Sequence, residues 1–138
     1  SYAQLTAEKI CLTGHEGDSP SNYLYALRAT SEGTKELRGG LIRVKVNSDG
    51  TLPAKPEMDA RAPREGFQDA MIVAGNRIYI AYAHPHSEEA QLLVYSAEDG
   101  EPISEIPLPA RVVRDGLAVA YGKLYAAGVD GAIYCLNE

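Results

Sequence analysis

Three features of the sequence predict an all-β fold built from repeated antiparallel units. A phrase that begins at Asp69 (Asp-Ala-Met-Ile-Val-Ala-Gly-Asn-Arg-Ile-Tyr-Ile-Ala81) returns at Asp115 (Asp-Gly-Leu-Ala-Val-Ala-Tyr-Gly-Lys-Leu-Tyr-Ala-Ala127) and stands more faintly over residues 2–13. The apolar segments are short, alternating and tyrosine-bearing, which suits a pleated, half-buried surface better than a helix. Turn residues recur between them, above all the Asp-Gly steps at Asp49, Asp99 and Asp130. Units this small cannot bury their own apolar faces, so they are expected to stack on one another.

Each copy opens with an apolar strand, breaks at a short polar turn and resumes as a second strand, which is hairpin chemistry. The breaks fall at Ala7-Glu8, Gly75-Asn76 and Tyr121-Gly122, so that Ile10, Ile78 and Leu124 align, as do Cys11, Tyr79 and Tyr125. A third strand follows as Leu41–Val46, Leu92–Ser96 and Ala132–Leu136. The first two of these end in matching turns, Asn47-Ser-Asp-Gly50 and Ala97-Glu-Asp-Gly100, where Gly supplies positive φ. The stretches that lead out, 51–58 and 101–109, carry prolines that cannot donate to a ladder, so a fourth strand is expected at a sheet edge.

Four antiparallel strands of decreasing regularity, repeated at roughly 40 to 50 residues, make a β-propeller blade. The reading gives a single partial propeller domain over 1–138, with blades at 2–60, 69–113 and 115–137 and no fourth strand in the last. The connection between second and third strands is longest in the first copy, over 14–40. Asp18-Ser19-Pro20 there has the form of a helix start, with Ser19 as cap and Pro20 at the first helical position, and Tyr23, Leu24 and Leu27 share a helical face. A short helix is the expectation; Tyr23–Leu27 as a short strand is the alternative.

The pattern from Asp115 to Leu136, with Leu92-Leu-Val-Tyr-Ser-Ala-Glu-Asp-Gly-Glu101 and the Pro-containing strand after it, resembles the repeats of quinoprotein-like (PQQ-like) β-propellers of exported bacterial proteins. The resemblance spans nearly the whole chain, most closely the C-terminal blades of such proteins, and implies a periplasmic or extracellular protein. The superfold hosts dehydrogenases, assembly scaffolds and adhesion modules alike. Repeats of cofactor-bearing members carry a blade-locking Trp after an Ala-x-Asp-x-x-Thr-Gly-Lys turn, whereas this chain has no Trp. It also lacks a Glu, Asn and Asp constellation for the quinone, so bound PQQ is not expected and no catalytic residue carries over.

Composition narrows the partners. With 13 basic and 19 acidic residues the net charge is −6, and the basic residues are scattered, which argues against nucleic acid. No apolar run reaches the about 18 residues of a membrane span. Cys11 and Cys135 lie in alternating segments without zinc-ligand spacing and are expected as buried free thiols; a disulfide is the alternative, which the blade assignment puts out of reach within one chain but places between neighbouring blades of a two-chain ring. Propellers close with about four to eight blades. Three blades therefore call for the remaining blades of the same propeller, from another chain or more of this one, or for a second copy.

Candidate site residues fall in the connections. His15, Glu16 and Asp18 with His84, His86 and Glu88 align after the second strand and would share a rim, where imidazoles and carboxylates suit a divalent metal or a polar ligand. Solvated loop residues are the plainer reading. Tyr82 and Tyr121, at strand ends, are candidates for a carbohydrate platform, and Arg111 and Arg114, with Arg61 and Arg64, for an anion-binding rim. Asp69, Asp115 and Asp130 are expected to bond nearby backbone N–H groups. Two functions follow: a non-catalytic binding or scaffold module that docks protein or glycan through its rim, or a fragment of an oxidoreductase-like propeller enzyme whose cofactor site is completed elsewhere.

Overall fold

The computed structural model describes residues 10–12, 23–28, 40–45, 47, 49, 51, 53–55, 57–61 and 66–136, and all their regular structure is β-strand. The chain divides into two compact units, Ser1–Arg64 and Glu65–Glu138. In the first unit, β1 (Ile10–Leu12), β2 (Tyr23–Arg28), β3 (Gly40–Lys45) and β4 (Met58–Arg61) form one antiparallel sheet in chain order. The second unit holds a four-stranded sheet of β5 (Phe67–Ala74), β6 (Arg77–Ala83), β7 (Ala90–Ser96) and β8 (Pro102–Leu108). Beside it is a three-stranded sheet of β9 (Val112–Ala120), β10 (Lys123–Gly128) and β11 (Ile133–Leu136).

The expected short helix is not found over Tyr23–Arg28. These residues are a strand paired on both sides, with Tyr25 opposite Cys11 and opposite Arg43. Helical spacing of Tyr23, Leu24 and Leu27 is outweighed by two ladders of backbone hydrogen bonds. The rest of the proposed helix, with Ser19 and Pro20, lies outside the described residues. The strand also corrects the repeat alignment. Cys11 faces Tyr25 as Ile72 faces Tyr79 and as Ala118 faces Tyr125, so Ile10–Leu12 is a first strand and Leu24-Tyr25-Ala26 is the counterpart of Ile78-Tyr79-Ile80 and Leu124-Tyr125-Ala126.

Turns follow the sequence closely. Asp49, Asp99 and Asp130 each accept, through Oδ1, the backbone N–H two residues on, from Thr51 (2.9 Å), Glu101 (3.0 Å) and Ala132 (3.1 Å). These are three copies of one Asx turn, each with Gly between. Tyr121 and Gly122 both have positive φ, 53° and 71°, the signature of a two-residue hairpin turn whose twist matches its strands. The proline-bearing β8 lies at a sheet edge, as does β4.

The core of the second unit lies between its two sheets. One face of β5–β8, with Tyr79, Ala81, Leu92 and Val94, forms a single apolar cluster with Val112, Leu124 and Ala126 of β9–β10. Ile72 and Ile106 from one side and Leu117, Tyr134 and Leu136 from the other pack against it. Ile78, Ile80 and Leu93, on the opposite face of the four-stranded sheet, are also fully buried. The first strands of the two sheets lie side by side, since β9 packs chiefly on β5.

Candidate functional site

One end of the second unit gathers most of the chemistry-bearing side chains. Antiparallel alternation brings together the start of β5, the β6–β7 loop, the β8–β9 connection and the β10–β11 turn. Arg111, before β9, ties three of these pieces: its side chain reaches Asp69 in β5, and its carbonyl accepts the Val129 N–H at 2.8 Å. Tyr121 stands at the other end, in the β9–β10 turn.

Asp69 is the extra residue of a β-bulge, lying between the pairs Gln68 with Tyr82 and Ala70 with Ala81. The bulge re-aims its carboxylate. Arg111 donates to it twice, Nε to Oδ2 and Nη2 to Oδ1, both at 2.8 Å, and its guanidinium lies 5.1 Å from the Phe67 ring centroid. The Asp69 bond raises the Arg111 pKa above its ordinary value, against partial desolvation. The Arg111 side chain keeps 44% of its surface and that of Asp69 13%, so the pair is a half-open clamp between the sheets. The sequence pointed to local backbone bonding for Asp69; the bulge directs it instead to the neighbouring sheet.

Asp115 lies within a wider irregularity, since Leu117 pairs with Ala126 whereas Val112 pairs with Gly128. Val113, Arg114 and Asp115 are exposed there, and Asp115 has φ of 57°. Asp130 behaves as expected, taking the Ala132 N–H and also the Tyr134 hydroxyl. Those donors, the hydroxyl first, hold its carboxyl below the usual carboxylate range, and the same bond pushes the Tyr134 phenol up. Gly128 must stay bare, because a Cβ would collide with Asp130 Oδ1 and the Tyr134 ring.

The β6–β7 loop closes on itself. His84 Nδ1 accepts the His86 N–H at 3.1 Å, the Ser87 hydroxyl accepts the Glu89 N–H at 3.3 Å, and the Glu89 carbonyl accepts the His84 N–H at 2.8 Å. The two imidazoles stand edge to face, centroids 6.2 Å apart. His84 thus spends one ring nitrogen on its own turn, while His86 and Glu88 are exposed. No group of three or more His, Cys, Asp or Glu among the described residues converges on a metal position.

His15, Glu16 and Asp18 lie outside the described residues. The residues that hold them, 13–22, join a first to a second strand, whereas His84–Glu89 joins a second to a third. The two connections therefore differ in strand order. Tyr82 is 3% exposed, with Gly66 so close that a Cβ there would enter the ring; it is a packing residue and no carbohydrate platform. Tyr121 is 98% exposed and stays available. Arg61 and Arg64 offer no described side chain, and Arg114 is exposed. Cys135, expected buried, is an exposed free thiol, and the Cys11 side chain lies outside the description.

The apolar part of this end has no counterpart among the residues that the sequence singles out. Phe67, Val113 and Val129 are all substantially exposed, two beside Arg111 in the chain or across a backbone bond and one under its guanidinium. The available signal was apolar residues at a strand start or in a turn, out of phase with alternation. No helix among the described residues is long and apolar enough to cross a membrane. Comparison of the chain with protein-family models, with curated proteins and with solved structures finds no match.

Proposed function

We propose that the chain is part of a β-propeller of the quinoprotein-like kind, outside the cytoplasm, and serves as a non-catalytic scaffold that docks protein or glycan through one rim. Support for blades comes from the second unit, whose two sheets meet at their first strands, β5 against β9, as sheets splayed around an axis do. The observation that carries the docking reading is the state of the rim. Three of its polar groups are held by internal bonds, Arg111 by Asp69, Asp130 by Tyr134 and His84 by its own turn. Phe67, Val113 and Val129 stand exposed among them. A preorganised surface with apolar points and a half-open guanidinium loses little entropy when it is covered.

The test is binding of the purified chain to arrays of defined glycans and peptides, alongside Val113→Ser and Val129→Ser. Binding that both variants weaken at least tenfold, with the circular dichroism spectrum unchanged, is the expected result. Turnover of a sugar or alcohol with an electron acceptor would overturn the non-catalytic reading, and binding indifferent to both variants would overturn the rim.

A further inference from the structure

The stacking of sheets in the second unit has a direction. The Tyr79 face of β5–β8 is covered by the Leu124 and Ala126 face of β9–β11. The reverse of that second sheet presents Tyr125, Ala127, Ile133 and Cys135, because Tyr125 pairs with Cys135 and Ala127 with Ile133. This is the counterpart of the covered Tyr79 face, yet Ile133 is 75% exposed and Cys135 is exposed too. Along its outer side β11 has no paired strand among the described residues, whereas the other two sheets each have four strands. An apolar face beside an unpaired edge is a template for another sheet.

The chain also holds the complement of that face. In β10, the second strand of its sheet, Leu124-Tyr125-Ala126 supplies the Leu and Ala that cover a tyrosine face. In β2, the second strand of the first unit's sheet, the same tripeptide stands as Leu24-Tyr25-Ala26, paired in the same order with a first and a third strand. We infer that the Tyr125 face of β9–β11 docks the β1–β4 sheet of a second copy of this chain, continuing the stack already present between β5–β8 and β9–β11. Two copies that exchange this contact twice form a closed pair. The inference rests on the stacked sheets of the propeller reading and uses none of the rim chemistry.

Solution mass by light scattering, over a range of concentrations, tests it together with mass-resolved alkylation of Cys135. The expected mass is twice the 14.8 kDa of the chain, with Cys135 alkylated at least tenfold more slowly at high concentration than on dilution. Ile133→Glu, at a 75% exposed position, and Ala127→Arg, at the half-buried position opposite it, place charge on the face, and each should give a monomer with fast alkylation and an unchanged circular dichroism spectrum. Ile103→Glu, on exposed β8, should leave the pair intact. A monomer at every concentration, or a pair that survives both charged variants, overturns the inference. Either result leaves the rim reading standing, since glycan and peptide binding is measured at other residues.

Discussion

Asp130 and Tyr134 depend on opposite protonation states, so their contact has two pH limits. Asp130 titrates lower in the folded chain than in the unfolded one. Its contribution is therefore complete above the ordinary carboxylate value, about pH 4, and drains away as pH falls through the lowered folded value. Tyr134 titrates higher when folded, so its share is complete below about pH 10 and is lost as pH rises through the raised value. Tyrosine ring NMR should show Tyr134 ionising later than an exposed tyrosine, and Asp130→Asn should abolish that delay; an unchanged Tyr134 titration would refute the contact. The clamp offers a second test. Arg111→Lys keeps the charge and removes both the fork and the stacking on Phe67. Because the arginine is half in solvent, the expected loss is only about 0.5–1 kcal/mol. A double-mutant cycle with Asp69→Asn should assign most of that loss to the pair.

Among the elements, the β9–β10 hairpin holds a tyrosine where glycine or asparagine is at ease. Tyr121 has φ of 53° and is 98% exposed, so it bears the left-handed backbone cost without packing in return. Tyr121→Asn should stabilise the chain by about 0.5–1 kcal/mol, read as a rise in melting temperature; a fall would mean that the ring has a partner. The turns were the most legible part of the fold, because Asp-Gly and Tyr-Gly dictate backbone angles locally. Third strands and the proline-bearing edge were legible for the same reason. Tyr23–Arg28 was not, since its six residues fit both periods and only pairing with Ile10–Leu12 and Gly40–Lys45 decides between them. That one strand shifts the strand count of the first copy by one. Tyr82 was misplaced by its position near a strand end, where local sequence does not reveal that Gly66 packs against its ring. Arg111 was legible as a residue of the connection between the two sheets, but its partner was not, because a bulge at Asp69 leaves no mark in hydrophobic alternation.

At the scale of the molecule, the directed stack predicts that neighbouring alanines in one strand have unequal tolerance. Ala126 is fully buried in the cluster that joins the two sheets of the second unit, beside Leu124, Val112 and Leu92. Ala127 points to the other face, opposite Ile133. Ala126→Leu forces extra carbons into packed space and should destabilise the chain by about 1–3 kcal/mol. Measured at dilution, where each chain is alone, Ala127→Leu should shift stability by no more than about 0.5 kcal/mol. Chemical denaturation of both variants decides the matter: equal losses would mean that both faces of β10 are packed within one chain, and the open face with its preference for a second copy would disappear with that result. Unequal losses that become equal as concentration rises are the outcome demanded by a stack that one chain begins and another continues.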